Sequence, residues 1–236
     1  MFELDFLRSA APGYDIRFID TTASTNTALL EAADARAGTA LVALSQSAGR
    51  GRMGRSFASP EGGLYMSLLI EPASAEDALL ITPRTAVAVC RAIEAVSGRE
   101  TGIKWVNDIL MGGKKVCGIL AEARAGERLR VVLGVGVNVS AVPEGLEDTA
   151  GAVFEAAPAL ARERLAAGIL NELRGGYDFR AESLRRCVTV GREVAVTRGA
   201  ERFTARALGI DERFRLLVER GGEILALDSG EATLHS

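Results

Sequence analysis

Seven consecutive residues, Gly49 to Arg55 (GRGRMGR), hold three arginines and three glycines. No hydrophobic core absorbs such a run, because a guanidinium stays charged at every accessible pH and glycine has no side chain to bury. The run must be a surface loop, and its flanks say what it joins. TALVALSQ (39–46) and LYMSLLIEP (64–72) are apolar runs of strand length. The chain therefore has to place a cationic, pliable loop on the rim of a sheet. Glycine admits φ > 0 and brings backbone N–H groups close to a ligand, while arginine forks match the oxygens of a phosphate or carboxylate two at a time. Taken by itself, the string fits an anion site no better than a solvated basic hairpin loop or an RNA-binding patch. It is not a Walker loop: the pattern G-x-x-x-x-G-K-S/T is missing, and the loop feeds a strand rather than a helix.

The remaining sequence up to residue 187 alternates strand-like and helix-like periods. YDIRFID (14–20) reads as a strand ending in TTASTN, where Ser24 or Thr25 can cap a helix over TNTALLEAADARA that Gly38 stops. TPRTAVAVCRAIEAVSG (82–98) has a helical apolar face through Val87, Cys90 and Ile93, with Pro83 in the first turn and Gly98 at the end. GIKWVNDILM and KKVCGILAEAR read as strands about the Gly112-Gly113 turn, and RLRVVLGVGVNVS (128–140) as another after the turn AGE. PALARERLAAGILNELRGGYDF (158–179) reads as one long helix ending at Gly175-Gly176. From Val188 the texture changes to short alternating strands, VGREVAVTR, ERFTARALGI, RFRLLVER and EILAL, which predict a small barrel-like module. The expected fold is α/β (α+β): a mixed sheet with flanking helices over 1–187 and a β module over 188–236.

Apolar residues make up 48% and charged ones 25%, ordinary globular values, and no apolar run approaches the ~20 residues of a membrane span. The N-terminus has acids early and lacks the basic-then-apolar order of a secretory signal. Three scattered cysteines suggest reduced thiols and a cytoplasmic protein. A net charge of −3 argues against a nucleic-acid coat or polybasic membrane binder, so the arginine cluster is a local feature. The single histidine, His235, is one residue from the end of the sequence, which leaves phosphate electrostatics rather than a histidine triad to carry any chemistry.

KWVNDILMGGKKVCGIL (104–120) gathers Lys104, Asn107, Asp108, Lys114 and Lys115 around a turn. Asn-Asp before a strand is common turn chemistry, and a carboxylate among lysines is also what magnesium-assisted phosphoryl chemistry uses; both readings stand. GVGVNV (134–139) allows close approach at Gly134 and Gly136 beside Asn138, without the dinucleotide fingerprint. Trp105 and Cys117 read as packing residues.

In this order, STN (24–26), QSAGRGRMGRSF (46–57), GGLYMSLLI (62–70), KWVNDIL (104–110), KKVCGIL (114–120) and GVGVNV (134–139) resemble the biotin protein ligases. The resemblance spans residues 16–140 and extends more weakly over the β module. It implies a class II tRNA-synthetase-like catalytic domain with a C-terminal SH3-like barrel. It also implies an enzyme that forms biotinyl-5′-AMP from biotin and ATP with Mg²⁺, then transfers biotin to a lysine of a biotin carboxyl carrier protein. By the same resemblance Ser24, Thr25 and Asn26 line the biotin pocket, with Gln46 beside the biotin tail. Arg50, Gly51 and Arg52 lie over the biotin carboxylate and α-phosphate in a loop that orders with ligand, and Arg55 joins that binding set. Lys115 and Arg52 are the catalytic cations. Asn107 falls near the phosphates, Asp108 near the metal and Asn138 near the nucleotide.

Phe57 and Val106 stand where the family usually has Trp and Pro, which predicts altered packing with the chemistry kept. The family's DNA-binding helix-turn-helix is missing, so no DNA partner is expected; a homodimer is compatible. Lipoate ligases and octanoyltransferases share the superfamily, but their run of glycines ending in histidine is absent from EGGLYMS. A non-catalytic biotin- or RNA-binding protein is the other alternative.

Overall fold

The computed structural model describes residues 2–228 and 232–235, except Ala125 and Glu127. Two of the three residues of the expected AGE turn therefore lie outside the described residues. Helix α1 (Leu4–Ala10) leads into β1 (Asp15–Thr22), α2 (Thr25–Glu31) and β2 (Thr39–Gln46). Next come β3 (Leu64–Ile70), α3 (Ala75–Ser97), β4 (Gly102–Lys104), β5 (Asp108–Met111), β6 (Lys114–Arg124) and β7 (Arg130–Val137). Helices α4 (Ala161–Leu173) and α5 (Phe179–Arg186) precede five strands: β8 (Glu193–Arg198), β9 (Glu201–Ile210), β10 (Leu216–Arg220), β11 (Glu223–Leu227) and β12 (Ala232–His235).

The first sheet runs β1-β2-β3-β7-β6-β5-β4. The pair β1–β2 is parallel, which demands a crossover, and α2 provides it. The other described pairs in this sheet are antiparallel. Period-2 alternation then sorts the central strands by face. Leu64, Met66 and Leu68 of β3 stand opposite Val137, Val135 and Leu133 of β7, and this row forms the core under α3 and α4. The intervening residues Tyr65, Ser67 and Leu69 stand opposite Gly136, Gly134 and Val132 on the other face. There α2 buries Leu29 against Leu69 and Val132.

Several expected boundaries move, for local reasons. Helix α2 stops at Glu31, short of the expected Gly38: Ala32 has extended backbone and Asp34 pairs with Arg17 of β1 at 2.9 Å. Helix α3 begins at Ala75, with Ser74 accepting from the Asp77 N–H at 3.0 Å, so Pro83 sits inside the helix and not in its first turn. The expected end is kept, with Gly98 in the left-handed conformation. GIKWVNDILM is broken into β4 and β5 by a turn at 105–107. The single helix expected over 158–179 is α4 alone; Asp178 then caps a separate α5 through the N–H groups of Arg180 and Ala181.

The C-terminal module is a five-stranded antiparallel sheet ordered β11-β10-β9-β8-β12. Its core of Val194, Val196, Ala205, Ala207, Leu216, Val218 and Leu227 also contains Trp105 and Val106 from the first sheet. Trp105 donates its N–H to Thr189 Oγ1 at 2.9 Å and its indole Nε1–H to the Phe214 carbonyl at 3.0 Å. The two sheets are thus joined through the turn that carries Asn107 and leads into Asp108 of β5.

Candidate active site

Three glycines clear the floor of a cleft on the α2 face of the first sheet. Register places Gly118 of β6 beside Gly136 of β7, and Leu120 beside Gly134. A Cβ on Gly134 would lie 2.3 Å from Asn26 Oδ1, and one on Gly136 would lie 2.4 Å from the Phe57 ring. Glycine is needed at both because side chains from α2 and the arginine loop rest directly on the strands.

One end of the cleft is neutral and fully hydrogen-bonded. Ser24 caps α2, accepting from the Thr27 N–H, which points Thr25 and Asn26 inward as buried residues. Gln46, at the end of β2, accepts from the Thr25 N–H at 2.8 Å and the Thr25 hydroxyl at 3.0 Å. Its own amide donates to Ser59 Oγ at 2.8 Å. Ser67, from the floor of β3, donates to Asn26 Oδ1 at 2.6 Å.

The other end is cationic. Arg50, Arg52, Arg55, Lys104 and Lys115 line the cleft with Asp108, and Arg50 also pairs with Glu122 at 2.9 Å, although the whole chain is net negative. The arginine loop is folded as a small hairpin: the Gly51 N–H donates to the Arg55 carbonyl at 2.7 Å, and the Phe57 N–H to the Gly49 carbonyl at 2.8 Å. Met53 at its tip is left-handed (φ 55°) and exposed. Arg52 donates to Asn107 Oδ1 at 2.7 Å. Burial draws its guanidinium below the ordinary value, Asp108 opposes that, and Arg55 adds to the depression. Lys115 is pinned by backbone bonds to Thr149 and Gly151 and pairs with Asp108 at 2.7 Å, with Phe57 beside it. An added anion would relieve this crowding of positive charge.

Of the residues singled out from the sequence, Ser24, Thr25, Asn26, Gln46, Arg50, Gly51, Arg52, Arg55, Asn107, Asp108 and Lys115 all line this one cleft. Asn138 does not. Its amide is spent on the Gly151 carbonyl at 3.0 Å, and it borders an adjoining cavity of about 770 Å³ that shares Phe57, Asp108 and Lys115 with the cleft. Arg192 and Glu193 of the C-terminal module close the far side of that cavity. Ser67 and Glu122 were not foreseen. Ser67 sits within an apolar strand run, and Glu122 within AEAR, a pattern that reads as a strand end in solvent. Register alone gives them away, since both share a face with the glycines. Cys117, expected as packing, is buried, and burial pushes its thiol well above the ordinary value.

A mixed sheet with a glycine floor thus carries a cleft that is neutral and hydrogen-bonding at one end and cationic at the other, beside a second cavity. The chain belongs to the biotin/lipoate A/B protein ligase family, whose model matches residues 16–138; a model of the biotin protein ligase C terminal domain matches 189–234. Among curated relatives it is 34% identical to the biotin-(acetyl-CoA-carboxylase) ligase of Mycobacterium tuberculosis, over 96% of this chain and 92% of that one. It is 33% identical to the bifunctional ligase/repressor BirA of Bacillus subtilis, over 97% of this chain and 76% of the relative. Among solved structures, the biotin protein ligase of Aquifex aeolicus in complex with biotin and ATP is similar with a TM-score of 0.81 at 29% identity, covering 94% of this chain and 98% of the other.

Proposed function

We propose that the chain is an ATP-dependent biotin protein ligase that makes biotinyl-5′-AMP and passes biotin to a carrier lysine. The observation that carries this is the joining of a neutral donor–acceptor end (Ser24, Thr25, Asn26, Gln46) to a cationic end (Arg50, Arg52, Arg55, Lys115) within one cleft. A ureido ring suits the first and a carboxylate beside a phosphate suits the second. The adjoining cavity, about 770 Å³, falls in the ~300–1,000 Å³ range of small-molecule sites and has room for a nucleotide, with Asn138 on its wall.

In the first step a biotin carboxylate oxygen bonds to the α-phosphorus, the bond to the bridging β-phosphate oxygen breaks, and pyrophosphate leaves. Two anions must meet, so the chain's contribution is positioning and positive charge. On this reading Arg52 and Lys115 supply positive charge to the reacting centre, and Arg50 and Arg55 hold the reactants from the loop side, where the Gly51 N–H closes the hairpin onto the Arg55 carbonyl. In the second step a carrier lysine amine attacks the acyl carbon and AMP leaves. Asp108, one oxygen of which pairs with Lys115, would hold Mg²⁺ as a single carboxylate with the remaining ligands from phosphates and water, while Asn107 Oδ1 is taken by Arg52. When bound, the ion supplies further positive charge to the phosphates.

The same proposal assigns catalysis to residues 1–187 and support of the phosphate side to 188–236, with a biotin carboxyl carrier domain as partner. It places the protein in the cytoplasm, in keeping with three free thiols. No helix among the described residues is long and apolar enough to cross a membrane. No DNA partner is proposed, because the excess positive charge lies in the cleft. The test is transfer: with ATP and Mg²⁺, a purified biotin carrier domain should become labelled by biotin and not by lipoate or octanoate. Better labelling by either acid moves the substrate assignment to the lipoate side of the family.

A further inference from the structure

Glu122 lies on the glycine face of β6, opposite Val132, just behind the cleft wall, with its side chain one-fifth exposed. One carboxylate oxygen accepts from Asn26 Nδ2 at 2.8 Å; the other pairs with Arg50 Nη2 at 2.9 Å. An ionised carboxylate only accepts, so it fixes which end of the Asn26 amide faces it and turns Oδ1 to the Ser67 hydroxyl. With the Ser67 proton on Asn26, the Thr25 hydroxyl can donate to Ser67 Oγ 2.7 Å away, while the Thr25 N–H reaches Gln46, whose amide leads through Ser59 to the Phe57 carbonyl. Phe57 ends the loop that Arg50 begins. Both ends of the arginine loop are thereby tied to the neutral end of the cleft through one acid.

We propose that Glu122 is a positioning residue for the ligase reaction: it sets the Asn26 amide for the ureido end of biotin and holds Arg50 in register with it. This rests on the function proposed above. Removing the charge has two opposed effects. Freeing Arg50 favours an incoming anion, but that pair is half exposed and therefore weak. Releasing Asn26 loses a charge-assisted bond to a buried amide, which is the stronger term. The Asn26 effect decides the sign.

The experiment is steady-state pyrophosphate exchange with full-length wild type, E122Q, N26A and the double variant, each with a melting curve. E122Q should raise KM for biotin by ~10- to 100-fold, the worth of a charged hydrogen bond, with kcat, KM for ATP and melting temperature close to wild type. In the N26A background E122Q should add under about twofold, because the two residues act as one unit. An E122Q enzyme with the wild-type biotin KM overturns the proposal. So does one that loses biotin KM, ATP KM and kcat together with its melting temperature, or a double variant whose losses simply multiply. A wild type without biotin-dependent exchange would instead remove the function on which the proposal stands, and both fall.

Discussion

At the scale of single residues, the site depends on a few side chains whose partners are already engaged. Lys115 is held by backbone bonds on both sides and by Asp108, so the proposed contact with phosphate needs little further ordering of this side chain. Lys115→Ala should lower adenylate formation by ~10²–10³-fold, the effect of removing one preorganised stabiliser, with biotin binding largely kept. Rapid-quench measurement of the first step checks this. Gly134→Ala makes the opposite cut. Its Cβ would lie 2.3 Å from Asn26 Oδ1, so Asn26 must move and biotin affinity should fall by at least ~10-fold, measured by calorimetry in the absence of ATP. Most site residues were legible because their chemistry and spacing are unusual: arginines alternating with glycines, an Asn-Asp pair before lysines. Glu122 and Ser67 were not, because nothing local distinguishes a half-buried acid bonded to a residue 96 positions away from an acid in solvent.

At the scale of elements, legibility followed how local the cause is. Strand β2 falls on the expected residues because apolar composition and flanking turns decide it. The Ser74-to-Asp77 cap of α3 was present in the sequence as S-A-E-D, yet Pro83 drew the start forward. Helix α5 follows the glycines expected to end the helical region, and its polar sequence hides what holds it: Arg186 reaches both Glu94 of α3 and Glu182. Burial alone would raise the Glu94 carboxyl, but bonds from Arg186 and Thr101 overcome it and leave it below its ordinary value of 4.5. A depressed carboxyl contributes stability that is present above pH 4.5 and lost as pH falls through the folded-state value. Glu94→Gln should cost about 2 kcal/mol at pH 7, and its melting temperature should fall less than that of wild type between pH 5 and the acid limit. Parallel acid slopes for the two proteins would show that this clamp does not contribute to acid sensitivity.

At the scale of the whole molecule, each sheet has its own core, and the β4–β5 turn of the first enters the core of the second. Trp105 and Val106 belong by sequence to the first sheet and by packing to the second, two residues from Asn107 and Asp108. Sequence reading placed Trp105 in a core without showing which one, since pairing with Thr189 and Phe214 spans 84 and 109 positions. Trp105→Ala should destabilise the protein by ~3–5 kcal/mol, the usual loss for a buried aromatic. Trp105→Phe keeps most of the volume and should cost about 1 kcal/mol for the lost indole bond. As the sole tryptophan, Trp105 also reports on docking: its fluorescence and far-UV dichroism should change at the same urea concentration if the sheets unfold as one unit. Separate midpoints would mean that the module undocks first.

The most direct measurement of the central claim is exchange of labelled pyrophosphate into ATP by the purified chain with Mg²⁺ and no carrier. If the cations of the arginine loop and Lys115 serve to join a carboxylate to the α-phosphate, exchange should require biotin and fail with lipoate or octanoate. Exchange that ignores biotin, or that does not occur at saturating biotin and ATP, would contradict the account.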